Sequence, residues 1–164
     1  MRALKIITIV AVSMLLVMLL MVGYLFTTAE VVVTDISAQG IPAVNAGDTF
    51  HTLTSTVDDG TFIGTLYQKP TEWKDASEYV YMTYTLSITN NCLVPIDMIE
   101  VQIVPQSQDI LQLSQSQVYS LPQRTSGDVP AMILSTANSH PVREMIVTYY
   151  VWGFSFTMRT TYGK

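Results

Sequence analysis

The chain has 164 residues, of which 13 are acidic and 8 basic, a net charge of −5, with one cysteine and two histidines. An acidic balance argues against nucleic acid as a partner, because phosphate recognition needs a basic surface. A single cysteine excludes an internal disulfide framework, and the isolated His51 and His140 leave no cluster with metal-ligand spacing.

Ile6 to Phe26 is a run of 21 residues without a charge. As a helix rising about 1.5 Å per residue it is about 30 Å long, which matches the hydrocarbon core of a bilayer. A lone strand would leave its backbone unpaired in lipid, so a helix is expected. Arg2 and Lys5 precede the run and Glu30 is the first charge after it. Basic flanks stay on the cytoplasmic side, so the N-terminus is predicted inside and the rest outside. The predicted organisation is therefore a cytoplasmic flank and transmembrane signal-anchor helix over 1–29, touching membrane lipid through residues 6–26, and an extracytoplasmic domain over 30–164. The competing reading is a cleaved signal peptide, with Thr27-Thr28-Ala29 supplying the small residues before a cut after Ala29 and a secreted domain as the product. The apolar run exceeds the roughly 7–15 residues usual in signal peptides, which favours the anchor. The helix reads as a plain anchor facing lipid, the alternative being a contact within the membrane through the Thr8, Ala11 and Ser13 side.

The part after the span carries 13 acids and 6 bases, a net −7, and its pattern is largely period two. VVVTDIS reads as a first strand. DTFHTLTSTV and GTFIGTLY flank Asp58-Asp59-Gly60, and Asp-Gly between two β-like runs is a hairpin signal. In EYVYMTYTLSITNN, Val80, Met82, Tyr84, Leu86 and Ile88 take one face, while Tyr81, Thr83, Thr85, Ser87 and Thr89 take the other. Asn90-Asn91 and Pro95 end that strand with a turn. IDMIEVQIVP follows, with Ile99, Val101 and Ile103 alternating against Met98, Glu100 and Gln102. DILQLSQSQVY holds either a helical turn or another strand. PAMILSTA reads as a strand ended by Asn138-Ser139-His140-Pro141. REMIVTYYVWGFSFTMRTTY is too long for one ordinary strand, and Gly153 divides it by a tight turn or a bulge. Seven or eight short strands between turn residues predict an antiparallel sandwich or barrel. No linker follows Phe26, so the domain is expected close to the membrane surface.

TLSITNNCLVPIDMIEVQIVP and the later SLPQRTSGDVPAMIL resemble the central hairpin and following segment of Ig-like envelope domains of the FxLYD and late-embryogenesis-abundant (water-stress) type. The resemblance spans Tyr79 to Tyr162, and the FxLYD signature itself is absent. It implies an all-β fold, an Ig-like antiparallel β-sandwich after one N-terminal transmembrane α-helix, and it carries over no catalytic residue.

No catalytic, cofactor-binding or metal-binding residue is assigned. There is no Gly-x-Ser-x-Gly, no phosphate-binding glycine loop and no dinucleotide fingerprint. Glu72, Asp75, Glu78 and the pair Asp97 and Glu100 read as solvated acids rather than a glycosidase pair. Cys92 is expected as a buried small hydrophobe, the alternative being an exposed thiol. The outward phase of the clearest strand makes Tyr79, Tyr81, Thr83 and Thr85 the candidate partner-binding face, since exposed tyrosines combine an apolar body with a hydrogen-bonding tip. The expected function is that of a non-enzymatic, membrane-anchored envelope protein whose sandwich binds a protein or envelope partner. The alternatives are an accessory subunit of a membrane assembly and a small cell-envelope hydrolase.

Overall fold

The computed structural model describes residues 2–27 and 30–163. The small residues expected at a cleavage site fall partly outside these, at Thr28 and Ala29. Helix α1 covers Arg2–Thr27, and its side chains from Lys5 to Met21 are all exposed. It is the one helix among the described residues long and apolar enough to cross a membrane, with a mean hydropathy of 2.8 over Lys5–Tyr24.

Among the described residues nine strands follow. They are β1 (Val31–Pro42), β2 (Gly64–Leu66), β3 (Tyr79–Asn90), β4 (Ile96–Ile103), β5 (Asp109–Leu113), β6 (Tyr119–Leu121), β7 (Ser126–Thr136), β8 (Arg143–Val151) and β9 (Phe154–Tyr162). They form two antiparallel sheets, one in the order β1-β3-β7-β5-β2 and one in the order β6-β4-β8-β9. The main core lies between them. Tyr84, Leu86 and Ile88 of β3 and Val129 and Ile133 of β7 meet Ile99, Val101 and Ile103 of β4 and Met145 and Val147 of β8. Those of β3, β4 and β8 alternate with more exposed neighbours, as a strand with one buried face requires. The period-two reading of β3 and β4 gives this inward set correctly.

Three expectations are corrected. DTFHTLTSTV is not a strand: Thr49–Asp58 is a helix, α2. Phe50, Leu53, Thr54 and Val57 recur at i, i+3, i+4 and i+7, so they share one helical face, and all four are buried. The threonines and serine, poor helix formers, are accommodated by hydroxyl bonds to preceding carbonyls, such as Thr56 Oγ1 to Leu53 O at 2.7 Å. Asp58-Asp59-Gly60 is accordingly the end of this helix, not a hairpin turn. Gly60 takes a φ of 72° and donates to Val57 O, while Thr61 N donates to Thr56 O at 2.9 Å, a Schellman arrangement. GTFIGTLY shrinks to the three residues of β2. There Gly64 lies so close to β5 that a Cβ would sit 2.4 Å from the Gln112 carbonyl oxygen.

DILQLSQSQVY holds no helical turn: β5 is followed by an irregular connection with a bend at Ser116-Gln117, and β6 begins at Tyr119 on the opposite sheet. Gly153 divides the last long run by a two-residue hairpin: Val151 pairs with Phe154, and Trp152 and Gly153 have φ of 50° and 81°.

Candidate functional site

The outward phase of β3 brings a further correction. Tyr79 and Tyr81 were expected at the surface, yet each is only 4% exposed. They sit in a second apolar cluster with Ala43, Phe50, Leu53 and Val57, under α2 and the 3-10 turn Ala43–Ala46. Phe50 and Tyr79 rings lie 5.1 Å apart, and Trp73 closes edge-on against both. A strand lacks information about what covers its second face; here α2 covers the upper half. Thr83 and Thr85 lie below it, half-buried on the same side. The four predicted residues therefore do not make one exposed surface.

The other polar candidates scatter. His51 and His140 are exposed, on α2 and in the β7–β8 turn. Asp75 accepts a hydrogen bond from Ser77 N at 2.9 Å, and that bond holds its carboxyl below the usual carboxylate range. Asp58 is likewise lowered, by its bond to Lys69 first and that from Trp73 second. Glu72 and Glu78 line a distal cleft of about 520 Å³ together with Lys74. Cys92 is buried, its Sγ donating to Glu30 O at 3.8 Å, and burial pushes the thiol up, so it stays protonated and unreactive. Among the described residues no group of three or more His, Cys, Asp or Glu side chains is placed to hold a metal ion.

Three buried polar groups that sequence reasoning passed over hold the sheets together. Arg143 of β8 and Asp109 of β5 form a bidentate pair, Nε to Oδ2 at 2.9 Å and Nη2 to Oδ1 at 2.6 Å, with both side chains fully buried. Ser135 Oγ and Gln106 N complete the carboxylate, and Gln106 Oε1 and the His140 and Val142 carbonyls accept from Nη1 of the guanidinium. Asn90, at the foot of β3, donates through Nδ2 to Val94, Leu121 and Pro122 carbonyls and accepts from Cys92 N. Gln112 of β5 reaches across to the stretch of β4 that runs on past its short pairing with β6, accepting from Ile103 N at 2.9 Å and donating to Val101 O at 2.7 Å. Tyr67 adds a bond to Ile103 O at 2.8 Å. The amide thus acts as a neighbouring strand would, and it blunts that edge against further pairing. The signal for two of them was in the sequence: Arg143 and Asn90 occupy the inward phase of strands otherwise apolar on that side, and a buried polar group must find partners.

Beside this blunted edge lies an open cleft of about 520 Å³. Its floor is Ile99, Val101 and Gln112. The Ser114–Val118 connection forms one wall, and Met98, Glu100 and Tyr150 form the other. Met98 reaches the rim through an irregularity in β4 between Asp97 and Glu100, where it takes a φ of 51°. The lining combines amide, hydroxyl and carboxylate groups with one aromatic ring. Such a lining offers both donors and acceptors of hydrogen bonds. No protein-family model matches this chain, and no curated protein matches it either.

Proposed function

We propose that this chain is a non-enzymatic membrane-anchored envelope protein. In this reading α1 spans the bilayer with Arg2 and Lys5 inside. The body from Glu30 onward is an Ig-like β-sandwich outside, and the cleft beside β4 engages a protein or envelope polymer. The observation that carries it is the exposure of α1. A helix with a mean hydropathy of 2.8 and none of that window buried against protein needs lipid to cover it. The Ig-like assignment draws support from two antiparallel sheets between which the chain passes at every connection from β3 to β8.

Extraction tests the anchor. The full-length protein should remain in the membrane pellet after carbonate washing, and recovery of a mature form starting at Glu30 would replace the anchor by a cleaved leader. Photo-crosslinking tests the cleft. A photoreactive side chain at Gln117 should yield a defined adduct in native membranes, and one at Thr157 on β9 should not. Adducts at both positions, or at neither, would remove the cleft from the proposal.

A further inference from the structure

Strand register decides which end of the sandwich is next to α1. Glu30 is three residues beyond Thr27, so the two Cα atoms are at most about 11 Å apart. Asn91 N donates to Glu30 O, and Val31 pairs with Asn90, so the β3–β4 loop is at this end. Asp97 at the start of β4 pairs with Tyr150, which brings the β8–β9 hairpin down beside it. Here the surface is apolar: Leu93 is 43% exposed, Trp152 51% and Phe154 62%. Trp152 also stands at the first central position of a type I′ turn, with a φ of 50°. That position favours Asn, Asp or Gly, and a bulky residue held at positive φ points to a use for its side chain.

The far end differs. Val44, its exposed apolar group after β1, is aliphatic, and the length of β1 separates this end from α1.

We propose that Leu93, Trp152 and Phe154 form a lipid-contacting rim that rests in the head-group layer of the leaflet α1 emerges from. The sandwich is then held by two attachments, the helix and the hairpin tip, and stands in a fixed orientation with its distal end outward. This rests on the anchored reading above. Three arguments select lipid as the occupant. The tether keeps the rim at the bilayer surface whatever else is bound. Tryptophan is the side chain most suited to the interface, with an apolar body and a polar N–H. The exposed charges nearest the rim are mixed, Glu30 and Asp97 against Arg124, so zwitterionic rather than anionic head groups fit, and attraction by net charge plays no part.

The chain carries its own ruler, because it has two tryptophans, Trp152 at the rim and Trp73 in the distal cluster. Full-length protein is reconstituted in phosphatidylcholine vesicles, with and without bromine near the top of the acyl chains. Trp73→Phe reports Trp152 alone, and Trp152→Phe reports Trp73 alone. Should Trp73→Phe fail to fold, the difference between unmodified protein and Trp152→Phe gives the same quantity. The expected result is loss of Trp152 emission to brominated lipid, unchanged by high salt, with no loss from Trp73. Equal quenching of both tryptophans overturns the rim, because the sandwich then has no fixed orientation. An unquenched Trp152 in protein that resists carbonate extraction overturns the rim and leaves the anchor standing. Protein that washes out of the vesicles overturns the anchor, and the rim with it.

Discussion

Tyr81 and Tyr84 are both buried, three residues apart on opposite faces of β3, and they illustrate how one hydroxyl decides the sign of a substitution. Tyr84 Oη donates to Pro141 O at 2.7 Å, whereas the Tyr81 hydroxyl is buried with no hydrogen-bond partner among the described residues. Tyr84→Phe should therefore cost about 1–3 kcal/mol, by stranding a carbonyl, while Tyr81→Phe should be neutral or stabilise by about 1 kcal/mol. Urea titration of the two variants measures both. Burial pushes Tyr67, Tyr81 and Tyr84 up to about 12, and for Tyr67 the charge of Asp109 adds to it. Above the ordinary phenol value near 10 the unfolded chain gives up these protons while the folded one keeps them. Their contribution is thus complete below pH 10 and is lost as pH rises toward 12. A denaturation midpoint flat to about pH 10 and falling beyond it is the expected profile. Arg143 is the most demanding residue of all. Arg143→Ala leaves the Asp109 carboxylate buried with no charge partner, at a cost of about 3–5 kcal/mol. A smaller loss in the same urea experiment would mean that water reaches the site.

At the scale of an element, α2 shows threonine-rich sequence taking the helix against its propensity. Isolated, ten residues containing four threonines and a serine would not hold a helix. The four buried side chains, pressed on Tyr79, Tyr81 and Leu134, supply the difference. The Schellman end at Gly60 is the one place where the sequence itself stops the helix. Gly60→Ala should cost about 1–2 kcal/mol through the positive φ alone, since nothing lies within 4 Å of the added methyl. Carbon chemical shifts over residues 49–58 check the helix directly; extended-type shifts there would restore the strand reading.

For the molecule as a whole, the contacts across the sheets predict that the body folds without α1. None of the described side chains of α1 belongs to either core cluster, and the Glu30 carbonyl that receives Asn91 N and Cys92 Sγ is retained in a chain starting at Glu30. That chain should be soluble and monodisperse and should show β-type circular dichroism. A helix content above about a third, the average of globular domains, would contradict the two-sheet architecture. Removal of α1 should change location and leave melting unchanged; a large fall in melting temperature would show that the helix packs on the body.

What the sequence determined by itself follows from local rules. An uncharged run of 21 residues specifies a helix long and apolar enough to cross a membrane, and alternation specifies which face of β3 and β4 turns inward. The break at Gly153 and the inert, buried Cys92 were legible for the same reason: each depends on a few neighbouring residues. Tertiary structure decided the rest. Whether the outer face of β3 is bare depends on α2, a segment 21 or more residues away whose apolar spacing fits a helix but whose composition suggests a strand. Arg143 finds its charge partner in Asp109, 34 residues away, and Asn90 binds the Leu121 and Pro122 carbonyls beyond β4, so the sequence marks them as needing partners without saying which. The cleft beside β4 exists because Gln112 and Tyr67 cap an edge on the opposite sheet, and the rim exists because register carries the β8–β9 hairpin to the end where α1 joins. These are relations between residues distant along the chain, fixed only when strand order and register are fixed, and no local pattern encodes them.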